Sequence, residues 1–397
     1  LERNRSWIAE MHIEEQLRRE DKNTQQADVV IRNSASLQLT EKIPQLISNT
    51  WAFTAAAPLA ETAIATGSIS TGSAPQLTVA QAQRKIIRTV SMLDTAASGR
   101  TQWIHNLRDL LRADDSLPAM LLAQMHNTVL SDRTQADLYL ALELAATEPA
   151  QAALVSVVGD ENWSPKDAMR ALVALAGVQQ PSEATITALW HVVDASTVGQ
   201  VDESQQLAST AIFTLGNLGN HMRVAEDENY NTVRDRLLSA ATNTTGTRHN
   251  AWQRSNYVHA LGNTRDSSLA NQLTPLLGDA APSVRRAAAL SLAMVGSEQA
   301  ADELLLSFKR ENNRQVRSAI VEALATLPEP SVNSIANIRE SFLVERDENT
   351  RYQMVRFLSQ NINQHPQSRV VLESAVRRES SKRIRQLAAE SLVVRGG

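Results

Sequence analysis

The residues best suited to metal binding or proton transfer are the eight histidines, His12, His105, His126, His191, His221, His249, His259 and His365. Zinc ligands from one helix or hairpin come as His-x-x-x-His or His-Glu-x-x-His, because only such spacings bring two imidazoles to one ion. Neither pattern occurs. The sequence has no cysteine, which removes thiolate metal sites, iron–sulfur clusters, cysteine nucleophiles and disulfides together. There is no Gly-x-Ser-x-Gly nucleophile elbow and no phosphate-cradling loop ending in Gly-Lys-Ser/Thr. The adjacent carboxylates Asp114-Asp115 and Asp160-Glu161 stand beside expected turns, where they cap helices rather than exchange protons with a substrate. No catalytic residue, cofactor or metal is assigned, and the reading is of a protein that is not an enzyme.

Charge spacing is more informative. Arg285, Arg317, Arg351 and Arg385 recur at intervals of 32, 34 and 34 residues, and Asp279, Glu311, Asp347 and Glu379 precede them in turn-like stretches. An arginine at a helix start opposes the helix dipole, so its charge needs compensation. A ladder bonding each arginine to turn carboxylates and carbonyls of its own or the neighbouring unit would supply it; an anion-binding stripe is the alternative. A second group, Arg377, Arg378, Lys382 and Arg383, is the candidate partner-binding surface, in a segment (339–397) with 11 basic and 7 acidic residues. It is read as a solvated terminal face, with an acidic protein partner as the functional alternative. Nucleic acid is not expected: the whole chain carries a net charge of −4, and the basic cluster has no interleaved aromatics. Trp103, Trp163, Trp190 and Trp252 are read as core or groove residues.

The elements that would position these residues are helical. Aromatics are 4% of the 397 residues, and 14 glycines and 12 prolines are too few for a β sandwich or barrel. Hydrophobic residues reach 43%, with no run near the ~18 residues of a membrane span. From Leu273 to Gly296 the pattern is a short helix, a turn at 278–282, and a second helix starting near Ser283 with Val284, Ala288, Leu292 and Val295 on one face. Val316, Ile320, Leu324 and Leu327 repeat this stripe, as do Thr350, Met354 and Leu358, then Ile384, Ala388 and Leu392. That period is two short helices and two turns, the unit of an α-solenoid. Weaker copies lie upstream, at Leu138, Leu142 and Leu144; at Ala168, Leu172 and Leu175; before Gly216 (Leu207, Ala211, Leu215); and before Gly262 (Val258, Leu261). The 46-residue interval between those glycines predicts an extended loop or longer helix over 222–246. Fold class is therefore all-α: a right-handed solenoid of paired antiparallel helices over residues 81–397, in eight or nine units.

Residues 1–80 form a leader. Trp7, Ile8, Met11, Ile13 and Leu17 predict a charged amphipathic helix over 5–20. Ala35, Leu37 and Leu39 alternate with polar residues and predict a strand over 29–40, the remnant of a larger β domain. Residues 54–80, rich in Ala, Thr, Ser and Gly, read as a linker. The opening at Leu1 suggests a processed or truncated form.

The Val-Arg pair after an acidic turn, over about 266–395, resembles HEAT repeats. Residues 100–295 resemble the helical domain of the large lipid transfer proteins of the vitellogenin and microsomal triglyceride transfer protein type. That second likeness rests on Trp103–Leu111, Thr147-Glu148-Pro149-Ala150, Trp163–Leu175, Gln180-Pro181-Ser182, and the Leu-Gly-Asn triplets 215–217 and 261–263. In these triplets glycine would take a left-handed cap and asparagine would bond turn carbonyls. The resemblance implies a structural and docking frame and leans toward an exported location. Lipid carriage would require a β domain that this chain does not encode. The function expected is a non-enzymatic protein-interaction scaffold with a curved helical surface, part of a larger protein or assembly. The alternatives are a lipid-transfer module acting with a separate β domain, and a nucleic-acid-binding HEAT protein.

Overall fold

The structure is a computed structural model that describes residues 10–19, 29–38, 78–96, 98–195, 203–243, 251–297, 299–327 and 330–393. Contacts divide the chain into two units, Leu1–Ala74 and Pro75–Gly397.

In the first unit, β1 (Glu10–Arg19) and β2 (Val29–Gln38) pair antiparallel. The strand expected over 29–40 is present, but the helix expected over 5–20 is not: residues 10–19 are its partner strand. Met11, Ile13 and Leu17 also satisfy a period of two, and the register sets them opposite Leu37, Ala35 and Ile31. Backbone pairing in one register over ten residues decides for the strand; Trp7 and Ile8, on which the helical reading also leaned, lie outside the described residues. So does the linker over 54–77, while its last residues, Val79 and Ala80, open the first helix.

The second unit is a solenoid with eighteen α-helices among the described residues. In chain order they begin α1 (Val79–Thr95), α2 (Arg100–Leu111), α3 (Leu117–His126), α4 (Asp132–Ala145), α5 (Glu148–Gly159) and α6 (Pro165–Ala176). The middle holds α7 (Glu183–Ala195), α8 (Glu203–Val224), α9 (Tyr230–Thr242), α10 (Ala251–Asn263), α11 (Ala270–Leu273) and α12 (Pro282–Val295). The last are α13 (Ala300–Arg310), α14 (Arg314–Thr326), α15 (Val332–Phe342), α16 (Glu348–Gln360), α17 (Ser368–Arg378) and α18 (Lys382–Val393). Starts are set by side-chain caps: Ser131, Thr147, Ser164, Ser331 and Asp347 each accept from the backbone N–H three residues on. Odd and even helices form two rows around one continuous apolar core. The stripe residues Val284, Ala288, Leu292, Val316, Ile320, Met354, Leu358 and Ile384 are all buried in it.

Even-row helices approach their row neighbours more closely than odd-row helices do. Gly216 and Gly262 explain how. Both lie inside helices, so the left-handed caps expected at the Leu-Gly-Asn triplets are not formed. A Cβ on Gly216 would fall 2.4 Å from the Ala260 carbonyl oxygen, and one on Gly262 would fall 2.7 Å from Ser291 Oγ. The glycines let α8, α10 and α12 touch backbone to backbone. Gly296, at φ 70°, does cap α12 in the left-handed region.

Of the two forms expected over 222–246, the longer helix is the one found among the described residues. The long interval holds the end of the 22-residue α8 and the whole of α9. The following interval is shorter because α10 ends one residue past Gly262 whereas α8 runs eight past Gly216, and because only 279–281 separate its first helical stretch from α12. That stretch is divided into 3-10 turns at Ser267–Leu269 and Thr274–Gly278 around the four-residue α11.

Candidate functional site

The recurrent arginines sit in the first turn of even-row helices, and three bridge to the next repeat. Arg285 donates from Nε and Nη2 to both carboxylate oxygens of Glu311, at 2.7 and 3.0 Å. Arg317 meets Glu345 at 3.0 and 2.7 Å, and Arg351 meets Glu379 at 2.9 and 3.1 Å. The third nitrogen, Nη1, turns back to carbonyls of the helix's own turn: Asp279 and Ala280 for Arg285, Arg346 for Arg351. Arg317 bonds the Phe308 and Glu311 carbonyls and stacks over the Phe308 ring at 4.1 Å.

Each glutamate does a second job. Glu311 also accepts from the N–H groups of Asn312 and Asn313, Glu345 from Arg346 and Asp347, and Glu379 from Ser380 and Ser381. Burial pushes the Glu311 and Glu379 carboxyls upward, but the arginine and backbone donors outweigh it and hold both below the ordinary value. The hydrogen bonds that Arg285 and Arg351 donate to these carboxylates raise both arginines in turn.

Two details differ from the sequence reading. The acid facing Arg317 is Glu345, while Asp347 caps α16 through the Thr350 N–H. The series also starts one unit earlier: Arg254 pairs with Asp279 and donates to the Ala241 carbonyl at 3.1 Å. Arg254 was missed because Gln253 stands where the later copies have Val284, Val316, Thr350 and Ile384, although its 31-residue distance from Arg285 was a usable signal.

Arg385 repeats the inner half of the pattern, with Nη1 2.7 Å from the carbonyl oxygens of both Glu379 and Ser380. Among the described residues no carboxylate faces its other edge. The four basic residues beside it are not alike. Arg377, Arg378 and Lys382 are exposed, the first two in the last turn of α17, where positive charge suits the helix dipole. Arg383 is instead held on α16: it donates to Asn349 Oδ1 at 2.6 Å, lies 3.6 Å from Glu348 and stacks on Tyr352 at 4.5 Å.

Upstream, polar side chains are spent differently. Arg100 bonds Asp137, Thr134 and the Leu93 carbonyl. Gln151 Nε2 donates to the Ala146 and Gln180 carbonyls, while Oε1 accepts from the Ser182 N–H at 2.8 Å and the Thr185 hydroxyl at 3.0 Å. The Thr147–Gln151 and Gln180–Ser182 segments thus form one node joining α5 to α7. Asp114 and Asp160 accept from Ser116 and Asn162, as turn caps do. Trp190 is buried, and Trp103, Trp163 and Trp252 are half-buried. Among the described residues no group of three or more histidine or acidic side chains could hold a metal ion, and no helix is long and apolar enough to cross a membrane.

This architecture is that of a HEAT-like α-solenoid. Residues 235–325 match the family described as HEAT repeats. Among solved structures, lipovitellin aligns over 80% of this chain and 33% of its own, at TM-score 0.51 and 14% identity, so the chain spans about a third of that protein and shares its helical fold. Human deoxyhypusine hydroxylase in complex with glycerol aligns over 71% of this chain and 97% of its own, at TM-score 0.28 and 18% identity. No curated protein matches by sequence.

Proposed function

We propose that this helical repeat scaffold is non-enzymatic and works by presenting the solvent side of its even row to protein partners. The carrying observation is the difference between the rows. The even row is drawn together by Gly216 and Gly262 and by ties such as Thr214 Oγ1 to the Leu172 carbonyl and Ser291 Oγ to the Val258 carbonyl. The odd row stands apart, with open grooves of about 650 Å³ beside α3 and α5 and about 270 Å³ beside α7 and α9. A stack tighter in one row bends toward it, and such bending makes the extended binding surfaces of repeat proteins. Phe213, His259 and Arg286 line that side on successive helices: the Phe213 and His259 rings lie 6.4 Å apart, and burial, then the Arg286 charge, lowers His259 to about 4.

The test is co-purification of the native protein with its partners, comparing wild type with Phe213→Glu and Arg286→Glu. Partner retention should fall while the melting curve is unchanged. Undiminished retention in both variants would sink the reading, as would catalytic turnover by the purified chain.

One observation favours a second reading. Antiparallel strands precede the helices, and the helical fold is shared with lipovitellin, whose structure is described as showing lipid–protein interactions. A lipid-transfer module working with a β domain predicts stoichiometric lipid in organic extracts of the natively purified protein. Lipid-free extracts would eliminate it.

A further inference from the structure

We infer that the odd row carries two receptors for arginine side chains, which one extended segment of a partner protein fills together. The clue is a resident guanidinium. In the groove beside α7 and α9, Arg236 lies over the Trp190 ring at 4.0 Å and donates to Asp194 at 2.7 Å. An indole face takes the flat side of a guanidinium and a carboxylate takes its N–H edge, so Arg236 shows what this groove accepts. It does not balance the charge there. Glu183, Asp194 and Asp227 line the groove against that one arginine, beside the buried Met222 and Val233. About 270 Å³ remains open next to them.

The groove beside α3 and α5 repeats the combination without an arginine of its own. Trp163 and His126 meet edge to face with ring centres 5.4 Å apart, Asp115 and Asp160 line the groove, and no lysine or arginine does. Asp160 spends one oxygen on the Asn162 N–H and side-chain amide, and Asp227 spends one on the Asn229 N–H. Among the described residues the second oxygen of each has no donor. The groove between the Thr274–Gly278 turn and α13, about 710 Å³, differs: Arg285 and Arg310 line it and no aromatic does, so this chemistry is not general to the row. The two receptor grooves lie two helix steps apart. At about 8–10 Å per packed helix that is roughly 20 Å, the reach of about six extended residues. One groove alone gives a weak grip, and two engaged by one chain multiply it, which selects a segment over free arginine.

The inference goes beyond the even-row reading, and its test separates the two. The probe is a labelled Gly/Ser peptide with two arginines about six residues apart, titrated by anisotropy against the full chain. It should bind about tenfold or more tighter than peptides with a single arginine or with adjacent arginines. Citrulline in place of both arginines keeps the shape, loses the charge, and should abolish binding. On the protein, Asp115→Asn and Glu183→Gln, both at exposed positions, should each weaken binding several-fold. Arg236→Gln frees the Trp190 face and should tighten it. Arg234→Gln removes a charge from the same helix outside the groove and should change nothing, as should Phe213→Glu on the even row. Binding indifferent to arginine spacing, equal binding of the citrulline peptide, or no binding at all overturns the proposal, and these arms use the wild-type chain. Equal tightening by Arg234→Gln would overturn the stacking on Trp190. Free arginine binding as tightly as the peptide would make the grooves small-molecule sites and overturn the assignment to a partner segment. Self-association in sedimentation that disappears when Asp115→Asn and Glu183→Gln are combined would make the occupant a second copy, with the same result.

Discussion

Between α1 and α8 almost every pair of neighbouring hairpins is joined by a different polar device, whereas from Arg254 onward one device repeats. Upstream there is a buried arginine on an aspartate, then a four-bond glutamine node, then a threonine on a carbonyl. Downstream an arginine donating from Nε and Nη2 to the glutamate of the next repeat's turn recurs three times, to both oxygens from Arg285 and Arg351 and to one from Arg317. Both solutions satisfy the exposed ends of short helices, which is an obligatory demand in any stack of hairpins. The lesson is that register can be held by a repeated part or by a series of individual fits. Only the first leaves a period in the sequence.

The largest expected effect tests whether apolar burial dominates both halves alike. Ile320→Asp places a charge at a fully buried position, and should cost at least about 4 kcal/mol and unfold the C-terminal repeats. A wild-type urea curve would refute the assigned helix phase. Next, Gly216→Ala pushes a Cβ onto the Ala260 carbonyl, and should cost about 3 kcal/mol despite the better helix propensity of alanine. A stabilised variant in thermal melts would mean the close approach of α8 and α10 is not required.

Gln151→Ala then asks what one individual fit is worth. It strips partners from the Ser182 N–H and the Gln180 carbonyl, for about 2 kcal/mol. Arg351→Ala removes one rung of the repeated part and should cost less, about 1 kcal/mol, since its pair is partly solvated. If the rung costs more than the node, the comparison is inverted. The rung also carries a pH signature. The Glu379 carboxyl is lower in the folded state than its ordinary 4.5, so its contribution is present above pH 4.5 and disappears as pH falls through the folded value. Wild type and Arg351→Ala should therefore converge in stability in acid, as followed by urea midpoints from pH 7 to pH 3. A constant difference would show that the ion pair is not the source of the cost.

Legibility in the sequence followed the same division. The stripes at Val284, Val316, Thr350 and Ile384 and the arginines beside them announced helix phase and unit length, because each copy restates the last. Arg254 escaped because Gln253, longer and more polar than Val, Thr or Ile, breaks the stripe beside it. Glu345 was hidden by Asp347, two residues away, since spacing alone does not separate a rung acid from a helix cap. Gly216 and Gly262 read as caps because glycine followed by asparagine is a local turn signal, while the neighbour that forbids a side chain there is 44 residues away at Ala260 or 29 away at Ser291. The β1 segment went to a helix because Met11 and Leu17 serve either period, and its deciding partner, β2, is supplied only by pairing.

The double duty of the rung glutamates has a mechanical consequence. Glu379 shapes the turn that starts α18 and also latches Arg351 in the preceding repeat, so releasing the last hairpin takes away the latch on the one before it. Tension applied at the C-terminal end would draw the downstream array apart like a zip, tooth after tooth, with one small sawtooth per hairpin on a force trace.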